Sequence, residues 1–299
     1  MDLSVSGKTV VGKATLVASL FVAALVGDAA YAPASWAQDA VVIAAGDIAH
    51  CGSSAPGRTA DLVNQIPGTV LALGDLAYDD GTAAEFRDCY EPTWGQFKGR
   101  TRPVPGNHEY HSKAAAGYFS YWGEQAGPTG LGYYSFTLQQ WHVVALNSNL
   151  KGRAMDQQNR WLINDLASSK QRCILAFWHH PLFSSSRHGN SSRMHTIAKT
   201  LYANKASVIL AGHDHVYERF DPQDPSGKWD IKRGLRLFTV GTGGAPPYSF
   251  KSAQPNSRVR YNGKIGVLKL VLQPTRYQWQ FITTDGRIKD QGRANCVDR

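Results

Sequence analysis

Five short stretches of this 299-residue chain each close an apolar run on residues of metal-binding type. They are Gly46-Asp47, Gly74-Asp75-Leu76-Ala77-Tyr78, Gly106-Asn107-His108, Trp178-His179-His180-Pro181 and Gly212-His213-Asp214-His215. One such stretch is weak evidence. Five of them, ordered Asp, Asp, Asn-His, His, His-x-His, make the pattern of a two-metal site. Two cations about 3.5–4 Å apart can supply a hydroxide nucleophile and hold positive charge beside phosphoryl oxygens, as hydrolysis of a phosphate ester requires. Keeping cations that close needs a bridging anion, and Asp75, central in the set, is the natural candidate. Imidazole and carboxylate suit zinc, iron or manganese, the Asn107 amide is a weaker neutral ligand, and no cysteine stands at these positions to make a soft thiolate site.

The elements that must carry these residues follow from apolar periodicity. Thr69–Leu73 is a short buried-type strand delivering Asp75 at its carboxyl end, and residues 40–45 do the same for Asp47. Arg58 to Ile66 reads as a helix with Leu62 and Ile66 on one face. Tyr133–Gln139 and Trp141–Asn147 read as neighbouring strands, and Asp156 as the N-cap of a helix carrying Trp161, Leu162 and Leu166. Cys173–Trp178 is the next strand, Met194–Asn204 a helix, and Ser207–Ala211 the strand before Gly212-His213. Leu235–Val240, Gly266–Leu272 and Tyr277–Thr283 complete a strand-rich end. Alternating strands and helices followed by strands imply an α/β fold of two packed sheets flanked by helices, with the ligands in loops at one edge.

The first residues read as an export leader. Lys8 and Lys13 precede the apolar run Ala14–Val26, whose 13 residues are too few for a bilayer span of about 20. Ser35-Trp36-Ala37 offers small residues where a signal peptidase cuts, giving a signal peptide over 1–37, one catalytic domain over 38–299 and no membrane anchor after cleavage. Secretion or delivery to a periplasm follows. The net charge of +9 draws anions in general, but without a run of clustered Lys or Arg it makes no specific nucleic-acid surface. Four cysteines in an exported chain favour two disulfides. Of three possible pairings, Cys51–Cys89 with Cys173–Cys296 is preferred, because Cys51 and Cys89 follow site-bearing loops and the other pair would secure the C-terminus.

Together, Gly-Asp, Gly-Asp-Leu-Ala-Tyr, Gly-Asn-His-Glu, His-x-Pro and Gly-His-Asp-His-Val-Tyr-Glu-Arg resemble the motifs of calcineurin-like metallophosphoesterases, and within them the purple acid phosphatases. The superfamily's first motif is Asp-x-His, but Ala49 occupies that histidine position. Purple acid phosphatases also lack it and use a tyrosine three residues after the bridging aspartate, matching Tyr78. The resemblance runs from Asp47 to about Gly244 and implies a four-layer αββα sandwich. It implies one metal held by Asp47, Asp75, Tyr78 and His215, and a second held by Asp75, Asn107, His179 and His213. It implies Fe3+ at the tyrosine site with Fe2+, Zn2+ or Mn2+ at the other. His108 would lie near the phosphate, and His188 would help the leaving group depart. The implied activity is hydrolysis of small phosphate monoesters by in-line attack of a metal-bound hydroxide.

Other readings stand beside this one. The metal core does not select the ester. The loops Asp80–Arg100, Tyr110–Thr129 and Ser184–Ser192 do, so a phosphodiesterase or nucleotidase is the enzyme rival. A non-catalytic module on the same fold would have lost Asp75 or His213, and both are present. His50 rivals Tyr78 as a ligand, His180 is ambiguous, and His111, His142 and His195 read as surface or packing residues. Gly241-Thr242-Gly243-Gly244 lacks the phosphate-loop pattern and reads as a tight turn beneath the site. Tyr217-Glu218-Arg219 reads as structural. Asn190-Ser191-Ser192 is formally a glycosylation sequon.

Overall fold

In the computed structural model the described residues are 39–297, with 1–4, 6–9 and 12 at the amino end. The expected signal peptide over 1–37 lies mostly outside them. Residues Ala37–Arg299 form one unit. Its elements in chain order are β1 (Ala40–Ala45), β2 (Ala49–His50), α1 (Ala55–Asn64), β3 (Thr69–Leu73), β4 (Ala77–Tyr78), α2 (Ala83–Glu85), β5 (Thr101–Val104) and α3 (Ala116–Trp122). They continue with β6 (Tyr134–Leu138), β7 (Trp141–Ala145), α4 (Gly152–Ser168), β8 (Cys173–Phe177), α5 (His195–Ala203), β9 (Val208–Ala211) and β10 (Tyr217–Phe220). The last are β11 (Arg236–Val240), β12 (Ser257–Tyr261), β13 (Gly266–Leu272), β14 (Arg276–Thr283) and β15 (Ile288–Asn295).

Two mixed sheets result. One is ordered β15-β14-β13-β1-β3-β5 and the other β12-β10-β11-β9-β8-β7-β6. Strands β1, β3 and β5 run parallel, as do β7, β8, β9 and β11, so their carboxyl ends collect on one edge. The alternation of a strand's side chains decides the layers. On β8, Cys173, Leu175 and Phe177 join a core with Leu71, Leu73, Leu268 and Phe281. Ile174 and Ala176, with the following Trp178, face the opposite way and pack with Leu162, Leu166, Ile197 and Leu201 of α4 and α5. Helix α1 lies against β13 of the first sheet. This is the expected α/β four-layer αββα sandwich.

Both expected disulfides are present, Cys51–Cys89 and Cys173–Cys296. Two helix starts differ from expectation by three residues or more. Helix α1 starts at Ala55 because Pro56, with its φ preset, sits in the first turn. Asp156 is not an N-cap: α4 begins after Lys151, one turn earlier. The buried Gln158 explains the shift, since its amide bonds the Asn147 N–H at 2.7 Å and the Asn147 carbonyl at 3.2 Å and so ties the early turns to the core. Strand β15 escaped sequence reading because Ile-Lys-Asp-Gln-Gly-Arg-Ala-Asn has no apolar alternation. Its anchor is the buried Asp290, which accepts from Tyr217, Arg219 and Trp279 at 2.6, 2.6 and 3.0 Å. That network also gives Tyr217 and Arg219 the structural role expected of them.

Candidate metal centre

The strand ends build the site by backbone bonds within each sheet and between the two. Gly46 N–H donates to Val240 C=O at 2.9 Å, Asp47 N–H to Gly74 C=O at 3.0 Å and Gly212 N–H to His179 C=O at 2.9 Å. The turn after β11 passes directly beneath, with Gly243 N–H on Gly46 C=O and Ala245 N–H on Asp47 C=O, both at 2.9 Å. A Cβ on Gly241 would stand 2.2 Å from the Asp214 carbonyl oxygen, so this turn requires glycine for close approach. Asp47, Asp75 and His213 hold φ of 59°, 50° and 71°, the left-handed region that side chains avoid unless the surroundings impose it.

All seven expected ligand residues, Asp47, Asp75, Tyr78, Asn107, His179, His213 and His215, meet here. Their donor atoms fall into two groups. In the first, the Tyr78 hydroxyl is 3.1 Å from Asp47 Oδ1, 3.2 Å from His215 Nε2 and 3.4 Å from Asp75 Oδ2, with His215 Nε2 3.4 Å from Asp47 Oδ1. In the second, His179 Nε2 is 3.1 Å from Asp75 Oδ2, 3.2 Å from Asn107 Oδ1 and 3.2 Å from His213 Nδ1. Asp75 Oδ2 belongs to both.

Two of the histidines are fixed by backbone carbonyls. His179 Nδ1 bonds the Leu73 carbonyl at 2.8 Å and His215 Nδ1 the Pro246 carbonyl at 2.9 Å. A ring that donates through Nδ1 turns Nε2 to the site, where a cation can take the place of its proton. Asp47 and Asp75 are buried, and their ion pairs are with histidines. Among the described residues no Lys or Arg pairs with these two buried carboxylates, so they suit a cation. Donors bonded to one cation at about 2.1 Å lie roughly 3.0–3.4 Å apart in octahedral or tetrahedral geometry, which matches these separations. The residues therefore fit a metal.

Protonation reflects that crowding. Burial opposes the charge on Asp75, but His179 beside it holds the carboxyl well below its usual range. Burial likewise disfavours the His179 imidazolium, yet the charge and hydrogen bond of Asp75 outweigh it and raise His179 from 6.5 to about 9. Burial, with His179 next to it, depresses His213 strongly. Burial and the charges of Asp47 and Asp75 push Tyr78 well above 10.0.

His108 and His188 border the cluster. The His108 N–H donates to Asp75 Oδ1 at 2.9 Å, its Nε2 stands 3.9 Å from Asp75 Oδ2, and its ring meets Tyr78 edge-on at 4.5 Å. The His188 ring centre lies 4.2 Å from that of His213, and its N–H donates to the buried Asp214 at 3.0 Å. His180 is brought in as well: buried, bonded to Ser148 Oγ at 2.8 Å and packed 4.5 Å from His213, with burial and His179 lowering it to about 2. His50 is exposed, directed at Asp79 and 6.1 Å from the Tyr78 ring, outside the ligand groups. His142 is a packing residue, bonded to Asp165 at 2.6 Å.

One residue without an expected role organises the whole. Glu109, fully buried, accepts from the N–H groups of Asp75, Leu76, Ala77 and Gly106 at 2.9, 2.7, 3.3 and 2.6 Å. It fastens the Asp75 loop to the Asn107 loop. Its only signal in the sequence is its place at the end of Gly-Asn-His-Glu.

The fold and the donor set define a metallophosphoesterase, and the chain belongs to the calcineurin-like phosphoesterase family, whose model matches residues 22–217. Among curated proteins it is similar to purple acid phosphatase 21 of Arabidopsis thaliana, 30% identical over an alignment of 219 residues that covers 62% of this chain and 46% of the relative. The chain thus spans about half the length of the curated relatives it matches. The solved purple acid phosphatase PPD1 from yellow lupin (Lupinus luteus) seeds superposes with a TM-score of 0.69 at 17% identity, over 87% of this chain and 54% of that one. GAP50, the anchor in the inner membrane complex of Plasmodium, superposes with a TM-score of 0.72 at 14% identity, over 87% and 90%. These likenesses establish the fold, and function has to be argued from the site.

Proposed function

We propose that the chain is an exported phosphatase that hydrolyses small phosphate monoesters at a two-cation centre. The observation that carries this reading is the pair of donor groups, each spaced as one cation requires, meeting at Asp75 Oδ2. Asp47, Asp75, Tyr78 and His215 would hold one ion, and Asp75, Asn107, His179 and His213 the other. Phenolate beside carboxylates suits Fe3+, with Fe2+, Zn2+ or Mn2+ in the imidazole-rich position. Bound there, the ions supply Lewis acidity toward phosphoryl oxygens and a nucleophile from water at neutral pH.

The chain's own side chains do the rest. The Leu73 and Pro246 carbonyls fix the His179 and His215 tautomers, and Glu109 holds Asp75 and Asn107 in register. His108 presents Nε2 beside Asp75, where it can hydrogen-bond a phosphoryl oxygen. His188 stands at the exposed side of His213, where a departing alkoxide can take a proton. Export is supported by the leader and the two disulfides. No helix among the described residues is long and apolar enough to cross a membrane.

The test compares p-nitrophenyl phosphate with bis-p-nitrophenyl phosphate across pH, using metal-stripped and refilled protein. Metal-dependent turnover in clear favour of the monoester supports the reading. Preference for the diester assigns the chain to phosphodiesterases, and no turnover of either removes the catalytic claim.

A further inference from the structure

Two borders of the site carry charged side chains. On one, Asp79 and Asp80 are exposed and already engaged, with His50 at 3.5 Å and His111 at 3.1 Å. On the other, Tyr248 lies flat on His215, ring centres 3.9 Å apart and planes 15° from parallel, and its N–H donates to the His215 carbonyl. The Arg187 guanidinium stands 4.9 Å from the centre of that tyrosine ring. Lys251 secures the arrangement, its Nζ donating to the Arg187 carbonyl at 2.8 Å and its N–H to the Ser185 carbonyl at 2.8 Å. Arg187 is exposed, and among the described residues no carboxylate pairs with it. Its chain neighbour His188 packs against His213.

A guanidinium resting on an aromatic face keeps its planar fork of donors in place and available to an incoming anion. Arg187 adjoins the ligand cluster through Tyr248, which stacks on His215, so a further anionic part of a molecule bound at the cluster has a cation within its surroundings. We propose that Arg187, carried on Tyr248 and backed by Lys251, is a second anion subsite. It selects phosphate esters whose alcohol portion bears a further negative group, a phosphate or a carboxylate. The inference rests on the phosphatase reading and adds the class of substrate.

The test measures binding and needs no turnover. Phenylphosphonate, 4-carboxyphenylphosphonate and 1,4-phenylenediphosphonate are titrated by calorimetry into metal-reconstituted full-length protein and into its Arg187→Gln and Arg187→Lys variants. The wild type should bind the two ligands with a second anionic group about tenfold more tightly than phenylphosphonate, the scale of one charge-assisted hydrogen-bonded contact. Arg187→Gln should abolish that ratio, Arg187→Lys should keep part of it, and added salt should shrink it. Loss of preference for one ligand alone identifies which anion the subsite reads. No preference in the wild type, a preference that survives Arg187→Gln, or no binding of any phosphonate overturns the proposal. A preference that depends on Arg187 in a protein hydrolysing no ester would uphold the subsite and remove the phosphatase reading.

Discussion

Replacing Glu109 by glutamine changes one atom and should unsettle the whole centre. Oε1 accepts from Leu76 and Ala77 and Oε2 from Asp75 and Gly106, all inside the protein. A glutamine keeps one oxygen and turns an NH2 group toward the other pair, so two buried N–H donors lose their acceptor. Each such loss costs about 1–3 kcal/mol, so Glu109→Gln should cost about 2–6 kcal/mol. That is a large share of the roughly 5–15 kcal/mol that holds a domain together. Burial and the charge of Asp75 raise Glu109 to about 7 against the pull of the Gly106 and Leu76 N–H groups, so the comparison belongs at pH 8, where the carboxylate is the main form. Urea unfolding of wild type and variant gives the stability, and elemental analysis gives the metal content. The Asp75 and Asn107 loops should separate and metal should fall in parallel. A loss below about 1 kcal/mol with full metal content would refute the role assigned to Glu109.

Tyr78→Phe removes the phenol from the first donor group, so iron-loaded protein should lose its visible charge-transfer band; a band that persists excludes Tyr78 as the ligand. His188→Ala should slow turnover about 100-fold, the usual scale of a positioned proton donor, at unchanged metal content. Lost metal would make it a ligand instead. In metal-free protein His179 is raised from 6.5 to about 9, so the native state holds a proton that the unfolded state releases. Its stabilising contribution is complete below about 6.5 and disappears as pH rises through about 9. Metal must displace that proton, so zinc affinity measured against a chelator should tighten from pH 6 toward pH 9. An affinity independent of pH would show that His179 is not a ligand.

Much of the site was legible because ligands at the carboxyl ends of buried strands leave a local trace. An apolar run closes on Gly-Asp, Gly-Asn-His or Gly-His-x-His, and parallel strands must bring those ends to one edge. The remainder depends on contacts with no local trace. Glu109 matters through four backbone N–H groups on two loops. Tyr248 reaches His215 through a backbone bond spanning 33 residues of chain. Arg187, like Arg233 on Tyr202, rests on an aromatic ring, and what sets it apart is that its ring stacks on His215. Strand β15 is held by a buried carboxylate rather than by apolar alternation, so periodicity passes over it. The early start of α4 has a similar origin, since Gln158 is a polar residue recruited to the core.

The most direct measurement titrates zinc into metal-stripped protein by calorimetry while turnover of p-nitrophenyl phosphate is followed at each addition. Two donor groups sharing Asp75 predict two equivalents per chain, with activity emerging as the second is taken up. Saturation at one equivalent, or full turnover in stripped protein, would contradict the two-cation centre.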